Sequence, residues 1–396
     1  MDDIGHGTSA PAGATALPAR GGFRIDRGEI AGAFGDLGTL IPFLAAYLAI
    51  VKLDPCAVLL AFGVAYIAVG AIYRTPFPVQ PMKAIGAVAT TQSVHAAALT
   101  PAAIQAAGLV SAAVWIVLAG TGLAKRLADW TPRSLTLGIL LGLGLSLMLD
   151  GIRMMAEGWL LAAGLLAATL LLIERRRFPA MFVVLIVGAC VAFWSDPELL
   201  GRLAAVEAKP RLPTIDLGGI GWQEWWVGAV LLALPQVPLT LGNALIATVE
   251  QANRLFPHRP VTERRVAVST GLMNLGSGLI GGVPMCHGAG GMAGHVQFGA
   301  RTGAAPILIG ILLLAGGLLF ADSVSLFFKA FPLPVLGVIL FLAGAQLALG
   351  ICALGNDKAE RFVALTTAAF AVWHVGVAFV FGLAVHYALK RELIRL

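Results

Sequence analysis

Apolar runs long enough to cross a bilayer recur along most of this chain, separated by short polar loops. A membrane-spanning helix needs roughly 20 such residues. Twelve runs approach that length, at 29–50, 55–73, 101–123, 133–150, 158–173, 179–195, 223–252, 263–282, 303–321, 333–352, 359–373 and 375–390. Two further apolar pieces, 79–94 and 284–297, are shorter and proline-led. Pro76, Pro78 and Pro81 open the first; Pro284 opens the second, which also carries Gly288, Gly290, Gly291 and Gly294. This pattern predicts broken helices, and fourteen segments in all. Residues 1–24 are rich in Ala, Gly and Pro and lack the apolar core of a signal peptide, so a disordered cytoplasmic tail is expected there.

Charge changes the picture by orienting the spans. Only 12% of the 396 residues are charged and 58% are hydrophobic, where a soluble domain carries about a quarter charged residues. With both termini cytoplasmic, the inside loops and tails hold twenty Lys and Arg and the outside loops hold six. That bias follows the positive-inside rule, and clusters such as Arg175-Arg176-Arg177 and Arg264-Arg265 enforce it. A net charge of +6 would suggest nucleic acid as a partner of a soluble protein. Here topology accounts for it, and no nucleic-acid partner is expected. The remaining basic residue, Lys83, falls inside the first broken segment, at membrane depth.

The broken segments echo one another. Gln80-Pro81-Met82-Lys83 precedes Val283-Pro284-Met285-Cys286 by 203 residues, and the runs at 101–123 and 133–150 resemble those at 303–321 and 333–352 at nearly the same offset. Halves of seven spans cross an odd number of times, so the second half enters inverted. Inverted repeats mark secondary transporters, whose sites lie at the repeat interface beside discontinuous helices. The expected fold is therefore an all-α polytopic membrane protein of seven plus seven segments, segments 3 and 10 being half-helices with short extended stretches.

Candidate chemistry gathers at the same places. Each half-helix N-terminus carries about half a positive charge and free N–H groups, and two of them facing each other can hold an anion. Proline suits a helix's first turn. Lys83 is costly at membrane depth unless it is paired. It meets either an anionic substrate or a carboxylate such as Asp36, which lies in the apolar run Gly35-Asp36-Leu37-Gly38-Thr39. Asp36 is read as a coupling or structural charge, and Thr39 as a hydroxyl donor or a packed helix threonine. Gln236, Thr240 and Asn243 share one helical face in a span kinked by Pro235 and Pro238, a polar stripe that points to a cavity or another helix. Gln80 has the same two readings. Glu250 sits nearer the cytoplasmic end, as a further coupling or interfacial charge. Cys286 and His287 are neighbours without a second ligand pair, so zinc is not expected. His287 is either an oxyanion ligand or proton carrier, or a satisfied helix-cap residue. The glycines from Gly288 onward allow a ligand close to the backbone. The cysteines Cys56, Cys190, Cys286 and Cys352 share no close spacing and suggest no disulfide, the first, second and fourth reading as packing residues. No nucleotide-binding or hydrolase motif occurs, so neither an enzyme nor a cofactor is expected.

The stretches GDLGTLIPF (35–43), PFPVQPMKAIGAVA (76–89), LPQVPLTLGNALIA (234–247) and GLMNLGSGLIGGVPMCHGAGGMAGHVQFGARTG (271–303) resemble the molybdate transporter branch of the sulfate permease superfamily. The resemblance implies a core domain formed by 25–123 and 216–322 and a gate domain formed by 124–215 and 323–396. It implies uptake of molybdate, with sulfate or tungstate as further substrates, by alternating access in the cell (inner) membrane. A coupling proton or cation and a homodimer, common in the family, are the partners it suggests. The cytoplasmic regulatory domain of many sulfate permeases is expected to be absent, because the chain stops at Leu396. The related nucleobase–proton symporters carry carboxylates at positions that align with Asn243 and Gly290. Their loss suits an anion and disfavours a nucleobase. The expected ligands are Lys83, Gln80, Thr39, Gln236, Asn243, His287, Cys286 and Gly288, with no metal. An anion channel of the same fold and a sulfate transporter are the alternatives.

Overall fold

The computed structural model describes residues 23–91, 99–172, 180–205, 207–213, 215 and 217–394. The tail expected at 1–24 and the Arg175–Arg177 cluster lie almost entirely or wholly outside them. The helices fall close to the apolar runs. They are α1 (Arg27–Ala33), α2 (Leu37–Ala45), α3 (Pro55–Tyr73), α4 (Lys83–Thr91), α5 (Pro101–Thr121), α6 (Leu123–Trp130), α7 (Arg133–Met155), α8 (Trp159–Leu172), α9 (Ala180–Ser195) and α10 (Leu199–Ala205). The second half continues with α11 (Trp222–Trp226), α12 (Leu234–Thr240), α13 (Val249–Leu255), α14 (Glu263–Leu279), α15 (Ala289–Gln297), α16 (Ala304–Ala330), α17 (Leu333–Ala348), α18 (Lys358–Trp373) and α19 (Val375–Lys390). Gln80–Pro81 (β1) and Met285–Cys286 (β2) are short strands.

Three local departures follow from sequence. The run 29–50 is not one helix: α1 stops at a turn over Phe34-Gly35-Asp36, α2 restarts, and a wide π-type turn spans Ala46–Ile50. The run 223–252 is continuous but alternates α11, α12 and α13 with π-type turns at Val227–Ala233 and Leu241–Thr248. Pro235 and Pro238 sit in that stretch and remove N–H donors from the ordinary ladder, and π-type turns take up such interruptions. The prolines of the broken segments do not open helices. Pro81 lies in β1 and Pro284 just before β2, and the half-helices begin later, at Lys83 and Ala289. Proline lacks the donor a ladder uses, so a two-residue strand tolerates it at its end.

The principal helix pairs are kept when the halves are exchanged. α3 packs on α16 and its counterpart α14 packs on α5, while α7 packs on its own counterpart α17. β1 and β2 pair antiparallel, with Gln80 opposite Cys286 and Pro81 opposite Met285, and the Met82 amide donates to the Pro284 carbonyl at 2.9 Å. The two Pro-Met dipeptides therefore lie across from each other, and the pseudo-two-fold axis runs between them.

Glycines let these helices approach closely, the usual solution where helix association gains nothing from expelling water. A Cβ on Gly144 would fall 2.5 Å from the Gly344 carbonyl oxygen, and one on Gly344 would fall 2.5 Å from that of Gly144. Gly151 and Gly337 repeat this at 2.6 Å each way. The α3–α16 contact uses Gly63 against Gly310. Gly144→Val should therefore push α7 from α17 and cost about 1–3 kcal/mol, as overpacking does. Thermal unfolding of purified protein checks this, with Gly120→Ala, which meets nothing within 4 Å, unchanged as the control.

Candidate functional site

The two half-helices start beside the crossed strands, and their first turns differ. In α15 the Ala289 and Gly290 amides donate to no described acceptor, whereas the Gly291 and Met292 amides turn back to the Gly288 carbonyl. Gly290 is exposed, and a Cβ there would meet nothing within 4 Å. The end of α15 thus opens into free space with donors to offer. In α4 the Ala84 amide is already taken by Gln236 Oε1 at 2.8 Å.

Lys83 opens α4. Its side chain is half-buried and makes no hydrogen bond or ion pair among the described residues. Cys286 and Asp36 lie within its electrostatic reach. Asp36 is held elsewhere: Gln80 Nε2 donates to its Oδ1 at 2.6 Å and the Tyr66 hydroxyl to its Oδ2 at 3.3 Å. The pairing of Lys83 with Asp36 anticipated from the sequence does not form as an ion pair. Asp36 instead braces the first turn of α15, where a Cβ on Gly291 would fall 2.5 Å from its Oδ2. Gly288, the residue before α15, is pressed against Gln80 Oε1 and the Asn243 side chain, and any Cβ there would overlap the Gln80 oxygen.

The polar stripe of the second half divides. Gln236 and Thr240 are buried and bonded to each other, Nε2 to Oγ1 at 3.0 Å, so Gln236 serves as a cap for α4. Asn243, half-buried, reaches Gly288. Glu250 is exposed on α13. Cys286 is buried in β2 opposite Gln80. Thr39 lies in α2, its side chain outside the described residues. Cys190 and Cys352 are exposed rather than packed, because they sit on outward helix faces, and only Cys56 among the three is buried.

His287 is fully committed within the protein. Nδ1 donates to the Pro78 carbonyl at 2.7 Å, which leaves Nε2 to accept from Ser269 Oγ at 2.8 Å; Ser269 in turn meets the Tyr73 hydroxyl at 2.8 Å. Phe77 flanks the ring edge-on, with centroids 4.9 Å apart. No ring nitrogen remains for an anion, so of its two readings the structural one matches the geometry. Among the described residues no three His, Cys, Asp or Glu side chains gather as a metal site.

Sequence reasoning missed several supports. Asn274 of α14 pins β2 on both sides, accepting from the Met285 amide at 2.9 Å and donating to the Met285 carbonyl at 2.6 Å. Ser277 donates to the Val283 carbonyl at 2.7 Å. Buried Glu29 of α1 accepts from the Arg301 and Thr302 amides at 2.8 and 2.9 Å, capping the approach to α16. Tyr47 is buried with an unpartnered hydroxyl beside Gly86, and Cys286 lies within its electrostatic reach. An isolated Asn or Glu in an apolar run was the available signal for the first and third; Tyr47 gave none.

Crossed half-helices between inverted repeats define a membrane transporter, not an enzyme. The comparisons agree. The sequence model of the family described as "Molybdate transporter of MFS superfamily" matches residues 28–147 and again 228–347. Molybdate transporter 2 of Arabidopsis thaliana is 33% identical over 90% of this chain and 85% of its own length. Molybdate transporter 1 of Chlamydomonas reinhardtii is 28% identical over 90% of each. The chain belongs to the molybdate transporter family. The fold resembles the transmembrane domain of a cyanobacterial bicarbonate transporter, BicA (TM-score 0.66, 17% identity, 89% of this chain and 97% of that one). It also resembles murine Slc26a9, an anion transporter, in the inward-facing state (TM-score 0.71, 10% identity, 94% of this chain and 70% of that one). Expectation and finding meet on the molybdate transporter family and on a helical fold with membrane-spanning helices.

Asn274→Leu removes both bonds that hold Met285. Each buried polar group left unpaired costs about 1–3 kcal/mol. The variant should unfold at lower temperature and lose transport, whereas Gln297→Ala, on the exposed end of α15, should do neither. Thermal unfolding and vesicle uptake measured side by side check this.

Proposed function

We propose that this protein is a secondary transporter of a tetrahedral oxyanion, molybdate first, working by alternating access. The observation that carries the reading is that Lys83 makes no hydrogen bond or ion pair among the described residues while α15 opens on unengaged amides. An unpaired cation at membrane depth costs several kcal/mol. Donor amides left without acceptors add to that cost. A doubly charged anion resting between Lys83 and the Ala289 and Gly290 amides would offset both. Each helix end adds about half a positive charge in a site of low dielectric.

The ligand set we favour is Lys83, the Ala289 and Gly290 amides and Asn243, with Gly288 allowing close approach and Tyr47 as a neutral donor. Gln80, Gln236 and His287 hold the half-helices in place, Asp36 braces α15, and Cys286 is a wall residue. The relatives named as molybdate transporters support the substrate. Sulfate and tungstate share its charge and shape and are expected competitors. Asn243 and Gly290 bring no carboxylate, which counts against a nucleobase–proton symporter and leaves the coupling ion to other residues, Asp36 first.

In this reading residues 25–123 and 216–322 form the moving core that carries the site. Residues 124–215 and 323–396 form the gate, and both termini face the cytoplasm at the inner membrane. The close glycine-lined α7–α17 contact suits a rigid gate.

Lys83→Met should abolish saturable molybdate uptake into reconstituted vesicles, by tenfold or more, without lowering thermal stability. Wild-type uptake by this variant would sink the assignment. Gly290→Glu adds a carboxylate in open space. It should fold as the parent does and lose uptake, because the new charge repels the anion. Competition of labelled molybdate by sulfate and tungstate, but not by uracil, checks the substrate class.

A further inference from the structure

The outer flank formed by α3 and α14 carries a feature that anion transport does not use. An apolar groove of about 580 Å3 runs between the two helices, walled by Leu60, Val64, Ala68, Val268 and Leu272, with Gly276 on its floor. A second cavity, of about 550 Å3, continues it past the shared residues Ile72, Tyr73 and Arg265, and adds Arg74 and Arg259. No acidic residue lines either cavity. None of the three arginines makes an ion pair among the described residues.

The arginines are held where they are by the backbone. Arg74 caps α3 in the left-handed region, with φ 54°. Arg265 donates through Nη2 to the Ile72 carbonyl at 3.1 Å, and its guanidinium lies 5.1 Å from the Tyr73 ring centre. A soluble anion would use these charges and leave the groove empty. An apolar ligand would fill the groove and leave the charges bare. A molecule with an anionic head and a hydrocarbon chain fits both at once. Val64, Ile72 and Leu272 are each more than half exposed, at 52%, 54% and 57%, as lipid-facing residues are. The basic end falls in the leaflet that the positive-inside rule assigns to the cytoplasm.

We propose that the α3–α14 flank seats one anionic phospholipid. Its phosphate lies among Arg74, Arg259 and Arg265, and an acyl chain runs along the groove over Gly276. The seat is wired to the centre of the protein. Tyr73 touches Arg265 on one side and bonds Ser269 on the other; Ser269 meets His287, and His287 holds the Pro78 carbonyl, two residues before β1. The lipid thus braces the crossed strands from outside, whatever the substrate.

Native mass spectrometry of the full chain, released from vesicles of equal phosphatidylglycerol and phosphatidylcholine, tests the proposal. The parent should retain one phosphatidylglycerol in preference to phosphatidylcholine. Arg74→Gln with Arg259→Gln, which spares the Arg265 bond to Ile72, should weaken that preference by about tenfold. Gly276→Trp fills the groove without touching the arginines and should remove the retained lipid. Millimolar inorganic phosphate should not displace it. Undiminished preference in the double variant, retention by Gly276→Trp, equal retention of both lipids, or displacement by phosphate would each overturn the proposal.

Discussion

Backbone that leaves a helix inside a membrane must find its hydrogen-bond partners in protein, and the crossing of β1 and β2 is where this chain meets that constraint. Water is not there to help, and each orphaned group costs several kcal/mol. The Met82 amide of one Pro-Met dipeptide donates to the Pro284 carbonyl of the other, Asn274 satisfies both backbone groups of Met285, and Ser277 and His287 satisfy the Val283 and Pro78 carbonyls. Only because those groups are settled can two helices begin in mid-protein. The symmetric packing of α3 on α16, of α5 on α14 and of α7 on α17 holds the crossing in register.

Symmetry stops at the first turns. Gln236 closes part of the α4 end, while the α15 end stays open over Gly290. Lys83 has no counterpart in charge, since Cys286 takes the equivalent place in the second Pro-Met motif. The repeat therefore supplies two similar half-helix ends, of which a side chain caps one and the other stays uncapped.

Much of this was legible in the sequence, for physical reasons. Bilayer thickness fixes the length of apolar runs, so helix positions could be read within a few residues; α3 and α19 fall where the pattern puts them. The Pro-Met echo located the crossing. What could not be read was local partnering. Proline suggested helix starts, yet the chain needed extended residues first to pair the strands, so the helices begin at Lys83 and Ala289. The break at Phe34–Asp36 was invisible because hydrophobic character continues across it, and only Asp36 hinted at a helix end.

The same limit explains why too many ligands were drawn from polar residues. Inside a membrane every polar side chain is expensive, so each one invites a functional reading. In a fold built on broken helices that inference weakens, because the breaks themselves create donors and acceptors that need partners. Gln236, His287 and Asn274 each spend at least one polar atom on backbone, and Gln80 spends its amide on Asp36. Lys83 stands apart: its ammonium makes no hydrogen bond or ion pair among the described residues, and Cys286 and Asp36 lie only within its electrostatic reach. On the proposed reading, an anion would answer the cost of that cation and of the unengaged α15 amides together. The polar supports account for the shape of the crossing, and Lys83 is left outside their hydrogen-bond network among the described residues.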